Sequence, residues 1–114
     1  MAWLMACQSL YTATVTLTAV VDSASKEYAR LYNDGLVPPD VATKAALAHA
    51  EYRKAAGVAH DAFVAAKTGQ VGDTKAALEG ARIAAGRFVD VLVPLLTRDK
   101  VKSLRANLNR AEAP

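Results

Sequence analysis

The chain has 114 residues, of which 53% are hydrophobic and 22% charged, a length that suits one compact domain and makes a second improbable. Its net charge is +3, and the whole excess lies in residues 97–114, because residues 1–96 hold equal numbers of acidic and basic side chains. Because residues 1–96 have a net charge of zero, a nucleic-acid-binding surface spread over the whole domain is not expected. The basic residues of the C-terminal segment are Arg98, Lys100, Lys102, Arg105 and Arg110.

The N-terminal segment contains the only cysteine of these 114 residues, so an intramolecular disulfide and a cysteine-rich zinc site are not expected. The sequence Leu4-Met5-Ala6-Cys7 resembles the lipobox of bacterial lipoproteins, in which a branched apolar residue and a small residue precede the lipidated cysteine. The resemblance implies lipidation at Cys7 and makes residues 1–8 the remnant of a signal. A full signal has a basic region and an apolar stretch of roughly 7 to 15 residues before its cleavage site, so this interpretation requires a reading frame that extends upstream. The alternative is a free cysteine in an Ala/Leu-rich helix.

A membrane anchor is a second interpretation of this end. Residues 1–21 carry no charged side chain and are about long enough to cross a hydrocarbon layer. However, Gln8, Ser9 and four threonines give the segment a lower hydropathy than a usual span has. A bundle helix whose N-terminal half is largely buried is therefore favoured.

The first predicted helix runs from about Ser9 to Tyr32. The threonines at positions 12, 14, 16 and 18 alternate with apolar residues, which taken alone indicates a strand. No partner strand is recognisable elsewhere, so a helix is preferred, and Gly35 is placed to end it in the left-handed conformation. Its apolar stripe, at spacings of three, four or seven, is Leu10, Leu17, Val21, Ala24, Tyr28 and Leu31.

The second predicted helix runs from about Pro39 to Lys67, opened by a proline and by Asp40 in its first turn. Most of its packing seam is alanine, which lets neighbouring helix axes approach closely, while Tyr52 and Phe63 fill the remaining gaps. The seam residues are Val41, Ala45, Ala48, Tyr52, Ala55, Ala59, Ala62 and Ala66.

The third predicted helix runs from about Thr74 to Val93 and is bent or ended by Pro94. Thr97 is a suitable N-cap for a short basic amphipathic helix that follows. Its basic residues could contact anionic lipid or phosphates, or the helix could simply pack its stripe on the bundle. The apolar residues of the third helix are Ala77, Leu78, Ala81, Ala84, Ala85, Phe88, Val91 and Leu92, and those of the short helix are Val101, Leu104 and Leu108.

These elements predict an all-α fold. We expect an antiparallel three-helix bundle of long helices over residues 9–96, followed by a basic amphipathic C-terminal helix or tail over residues 97–114. A core with 25 alanines buries little apolar area per residue, so modest stability or oligomerisation is also expected.

No arrangement of residues in the sequence indicates catalysis. His49 and His60 are eleven residues apart and would lie roughly 16 Å apart along a helix, too far to share a metal. The segment Gly69-Gln70-Val71-Gly72-Asp73 precedes a helix but lacks the Lys-Ser/Thr of a phosphate-binding loop. We therefore predict no enzymatic activity, no cofactor and no metal site.

The turn Asn33-Asp34-Gly35-Leu36-Val37-Pro38-Pro39 between Ala-rich helices, together with Leu4-Met5-Ala6-Cys7, gives the chain a resemblance to small Ala-rich helical proteins encoded by phages and prophages, many of them predicted lipoproteins. The resemblance implies an accessory role at the bacterial envelope or in the virion, and Cys7 is the residue it singles out. The first hypothesis is a helical interaction protein held at the cell envelope through Cys7, with itself or an envelope protein as partner. The alternative is a soluble, cytoplasmic or virion-associated module of phage origin that binds protein or, less expectedly, nucleic acid through its Ala-rich seam or basic tail.

Overall fold

The computed structural model describes residues 2–67 and 74–110, with side chains at residues 12–65 and 74–110. Over these residues the chain is helical and contains no strand, which confirms the all-α class. A single turn of 3-10 helix, Val93–Leu95, separates the last two α-helices. The four α-helices are α1 (Ala2–Asn33), α2 (Pro39–Lys67), α3 (Thr74–Leu92) and α4 (Arg98–Arg110).

Helix α1 begins at Ala2, seven residues before the predicted start at Ser9, so that prediction was wrong. The lipobox-like residues are good helix formers, and neither proline nor glycine interrupts residues 2–9. The backbone of Cys7 is therefore part of α1, while its side chain lies outside the described set. Lipidation at Cys7 stays a prediction.

The threonine-rich half of α1 is helical despite its strand-like alternation. The hydroxyl of Thr16 donates to the carbonyl oxygen of Thr12 at 2.9 Å, and that of Thr18 donates to the carbonyl of Thr14 at 3.0 Å. Such bonds to the preceding turn satisfy the hydroxyl groups within the helix itself. Ala13 and Leu17 between the threonines, and Val20 and Val21 just after them, are buried, whereas Val15 is 50% exposed. The buried residues thus follow a helical rather than an alternating pattern.

Helix α1 ends in a left-handed glycine cap, as predicted. Gly35 has φ +74°, its N–H donates to the carbonyl of Tyr32, and the N–H of Leu36 donates to the carbonyl of Leu31 at 3.0 Å. These two bonds form a Schellman motif, which satisfies carbonyl groups left free by the end of the helix. The chain then enters α2 at Pro39.

The Ala-rich seam of α2 faces the interior. Ala45, Ala48, Tyr52 and Ala59 are buried, and Ala55 packs against the core from a half-buried position. The facing side of α3 is also rich in alanine and adds the bulky Phe88, Val89 and Leu92, which are almost fully enclosed. Small residues on both helices let α2 and α3 pack closely along most of their length.

Helix α3 is the centre of the fold, because α1, α2 and α4 all pack against it. Helix α1 also packs against α4. Leu104 and Leu108 of α4 belong to the same buried cluster as Leu17 and Phe88, and Leu104 is only 2% exposed. The short basic helix is therefore part of the core rather than a loose tail.

The junction between α3 and α4 follows from its sequence. Helix α3 ends at Leu92, one residue before the predicted position, and Pro94 lies in the 3-10 turn, where a missing N–H is tolerated. The backbone N–H of Lys100 donates to the Thr97 hydroxyl at 3.2 Å, which confirms Thr97 as the N-cap of α4.

Candidate functional site

A groove of about 540 Å³ runs along the outer face of α2 and α3, which we call the α2–α3 groove. Its surface is mainly apolar. Val58 is 56% exposed and Ile83 is 47% exposed, although both are branched aliphatic residues that normally lie in a core. The residues that line the groove are Glu51, Lys54, Ala55, Val58, Ala76, Ala77, Gly80, Ile83, Ala84 and Arg87.

The groove has this character because each helix carries a second stripe beside its core stripe. On α2 the stripe follows positions 51, 54 and 58, and on α3 it follows positions 76, 80, 83 and 87, all at spacings of three or four. Leu47, which is 63% exposed, continues the α2 stripe by one turn. Both helices thus present apolar residues to solvent on the side away from the core.

Charged side chains stand on both sides of the groove. Glu51 and Lys54 lie on α2, and Arg87 lies on α3. Among the described residues none of the three has an ion-pair partner within 4.0 Å, whereas nearby Glu79 is held by Arg82 on its own helix. That pairing lowers the pKa of Glu79 through its hydrogen bonds with the Arg82 guanidinium.

The floor of the groove is made of small residues. Ala76, Ala77, Gly80 and Ala84 come from α3, and Ala55 from α2. A Cβ placed on Gly80 would meet nothing within 4 Å, so the surface is open there. A floor of this kind accepts side chains or a helix from a partner more readily than one built from bulky residues.

A smaller groove of about 340 Å³ lies between α1 and α4, and it is more polar. Thr16, Ser23, Ser103, Asn107 and Arg110 contribute to its surface. The adjacent Lys100 ammonium donates to the Ser23 hydroxyl at 2.6 Å and ties the two helices together. Ser23, which lines this groove, is thus already engaged in a contact of the chain with itself.

The basic residues predicted for the C-terminal helix do not form one free patch. Lys100 is engaged with Ser23, and Arg105 pairs with Asp90 of α3 at 3.2 Å. Arg98 and Lys102 are exposed, and Arg110 borders the α1–α4 groove. Because Leu104 and Leu108 are buried, their insertion into lipid would require α4 to leave the core.

The two histidines occupy unrelated environments. The His49 ring packs edge-on against Phe88 with ring centroids 5.3 Å apart, so it serves the contact between α2 and α3. His60 is exposed and lies 3.7 Å from Asp61. Within residues 2–67 and 74–110 no group of three or more His, Cys, Asp or Glu side chains is arranged to hold a metal ion.

Tyr52 connects α2 with α1 through Thr18. Burial raises the pKa of its phenol, a hydrogen bond with Thr18 opposes that increase, and the nearby charge of Asp22 adds to it. The residue is 8% exposed and belongs to the core cluster, in accord with the gap-filling position predicted for it.

The α2–α3 groove was not predicted from the sequence. Leu47, Val58 and Ile83 nevertheless indicate it, since they are large apolar residues outside the seams predicted for their helices. Over the part of the chain that is described, no helix combines the length and apolar character that a bilayer crossing requires.

Fold and groove together define an all-α protein whose four helices share one core and leave an apolar groove open to solvent. Comparison with protein-family models, curated proteins and solved structures gives no match for the chain. Functional proposals therefore rest on the residues of this chain alone.

Proposed function

We propose that the chain is a non-catalytic helical interaction protein that binds its partner in the α2–α3 groove. The observation that carries the proposal is the exposure of Val58 and Ile83 on a continuous apolar surface with charged sides. Exposed apolar area of this kind is costly in water and is typical of protein-binding surfaces. The partner is expected to supply apolar side chains that fit between α2 and α3.

The arrangement proposed for the helices is an antiparallel bundle of α1, α2 and α3 with α4 packed alongside. His49 in the first half of α2 contacts Phe88 in the last turns of α3, as two antiparallel neighbours would. The hydrogen bond between Thr18 and Tyr52 fits an antiparallel α1 and α2 around the turn at Gly35. In this arrangement α2 and α3 share one outer face, and that face contains the groove.

Photo-crosslinking in the natural host tests the groove as an interaction surface. A photoreactive amino acid replaces Ile83 in the groove or, as a control, Leu36 in the turn after α1, which is comparably exposed. The proposal expects a crosslinked adduct from position 83 and none from position 36. Equal yields at both positions, or no adduct at 83, would contradict it.

We further propose that the protein belongs to the bacterial envelope and is held there by a lipid on Cys7, as the lipobox-like sequence suggests. Expression from the native genomic context, followed by intact-mass measurement, should give a mature chain that begins at Cys7 and carries acyl mass. The Cys7→Ser variant should then leave the membrane fraction. An unmodified chain beginning at Met1 or Ala2 would eliminate the lipoprotein and leave an untethered interaction protein.

The alternative function is a soluble module, cytoplasmic or virion-associated and of phage origin, that uses its basic C-terminal helix to bind protein or nucleic acid. The observation in its favour is the exposure of Arg98 and Lys102. Deleting residues 97–114 is an unsuitable test, because it also removes Leu104 and Leu108 from the core. The double variant Arg98→Ala/Lys102→Ala leaves that packing intact, and loss of binding in it would support the alternative.

A further inference from the structure

We infer that the partner in the α2–α3 groove is a second copy of this chain, related by a two-fold axis that runs along the groove parallel to the helices. This inference rests on the proposed function and specifies its partner. Two observations carry it, namely the placement of charge on the two sides of the groove and the match between its bulky and small residues.

Glu51 and Arg87 stand at nearly the same level on opposite sides of the groove. The contact between His49 and Phe88 sets the register of α2 against α3. Moving two residues forward along α2 and one residue back along antiparallel α3 reaches Glu51 and Arg87, which differ in level by about 1.5 Å at the rise of an α-helix. At this level one copy presents a negative charge on its α2 side and a positive charge on its α3 side, while the Lys54 ammonium lies about one turn further along α2.

A two-fold axis along the groove brings unlike charges together. The rotation keeps each residue at its own level and places α2 of one copy opposite α3 of the other. Glu51 then faces Arg87 of the second copy, and the same pair recurs on the other side of the axis. Such an interface is isologous, since one surface serves both copies. Because neither side chain has an ion-pair partner among the described residues of its own chain, both are available for these pairs.

The same rotation places bulky residues over small ones. Counted from the register set by His49 and Phe88, Val58 faces the region of Gly80 in the second copy, where the surface is open. Ile83 correspondingly faces Ala55 of the second copy, beside the aliphatic part of Lys54. Four helices, two from each copy, would then alternate in direction around a shared apolar centre, which is the geometry of an antiparallel four-helix bundle.

The size of the groove limits the area that the association can bury. Residues 76–87 span about 17 Å of helix, and two neighbouring helices are about 20 Å wide, so the dimer would bury roughly 700 Å² in total. This area is smaller than that of a stable specific interface and suits a weak, transient one. We therefore expect reversible dimerisation with a dissociation constant of roughly 100 µM or weaker.

Sedimentation equilibrium of the purified chain between roughly 1 µM and 1 mM tests the inference by charge exchange. Glu51→Arg and Arg87→Glu each create two like-charge contacts per dimer and should weaken dimerisation about tenfold or more. The double variant Glu51→Arg/Arg87→Glu restores unlike charges, so its dissociation constant should lie within about threefold of that of the original chain. Arg53→Glu is the matched control on an exposed position of α2 that does not line the groove, and it should change the constant by less than about twofold.

Each of three results would overturn the inference. The original chain could stay monomeric at 1 mM, the single variants could dimerise as strongly as the original chain, or the double variant could dimerise more weakly than both single variants. Circular dichroism of every variant confirms that the fold is retained, as expected for exposed positions. The crosslinking at position 83 separates this inference from the proposed function. An adduct of twice the chain mass supports the dimer, an adduct of any other mass retains the function and overturns the dimer, and no adduct overturns both.

Discussion

Replacing Leu104 with alanine tests whether α4 belongs to the cooperative core. The Leu104 side chain is 2% exposed and is among the largest fully enclosed side chains of the chain. Removing its outer carbon atoms forfeits about 2.4 kcal/mol of transfer free energy, and the cavity left behind raises the expected loss to about 3 kcal/mol, within the range for buried leucines. For a domain of this size the melting temperature should fall by roughly 10 °C.

Urea denaturation followed by circular dichroism at 222 nm measures this loss. The matched control is Leu47→Ala, which makes the same chemical change in a helix at a side chain that is 63% exposed. Because Leu47 gives up little buried area, its variant should lie within about 0.5 kcal/mol of the original protein.

Two results would refute the reasoning. One is a free energy of unfolding for Leu104→Ala that equals that of the Leu47→Ala control. The other is an early separate transition in the original protein that the Leu104 substitution alone removes, since α4 would then melt independently of α1 and α3.

Substitutions at four further positions should change the stability of the chain, at three positions by lowering it and at one by raising it. Gly35→Ala should lower the free energy of unfolding, measured by urea denaturation, by about 1 to 2 kcal/mol, because φ at this position is +74°. Gly57→Ala should stabilise it by about 0.8 kcal/mol, since Gly57 lies exposed within α2 and its added Cβ meets nothing within 4 Å. Thr97→Ala should cost about 1 kcal/mol through loss of the cap on α4, and Thr97→Ser should retain most of that stability. Tyr52→Phe should cost about 1 kcal/mol at pH 8 through loss of the hydrogen bond with Thr18. Because burial raises the pKa of Tyr52 above its ordinary value of 10.0, the stability that this residue contributes is present below pH 10 and is lost as the pH rises through the folded pKa. The difference between the original protein and the Phe variant should therefore shrink between pH 8 and pH 11, and an unchanged difference would count against this assignment.

The bounds of α2 could be predicted from the sequence because local chemistry determines them. Pro39 fixes a helical φ at the first position, Asp40 favours the positive end of the helix dipole, and the seam repeats at spacings of three and four. The cap at Gly35 was predictable for the same reason, since few residues other than glycine accept its backbone conformation.

The start of α1 and the position of α4 were less predictable from the sequence than the bounds of α2. The apolar stripe that predicts α1 begins at Leu10, whereas the helix begins at Ala2, where the composition also favours a helix. Leu104 and Leu108 indicated an apolar stripe on α4, but such a stripe does not show which of the other helices it packs against. That choice depends on the space between α1 and α3, which only the tertiary structure defines.

The α2–α3 groove illustrates a further limit of single-helix patterns. Each helix carries apolar residues outside its core seam, and the periodicity of one helix does not decide which side will face the core. Burial of Ala45, Ala48 and Ala59 leaves Val58 on the outside, and the groove exists only when α3 lies beside α2. Charge complementarity across a two-fold axis is likewise a property of the assembled pair of helices.

The bond between Lys100 and Ser23 joins groups that are 77 residues apart in the chain, whereas α2 and α3 are joined by only six residues. Closing the longer loop costs about 2 kcal/mol more in chain entropy. We therefore expect α2 and α3 to pair early in folding, and α1 and α4 to close over α3 afterwards. The amide hydrogens where α1 meets α4 should correspondingly exchange with solvent sooner than those where α2 meets α3.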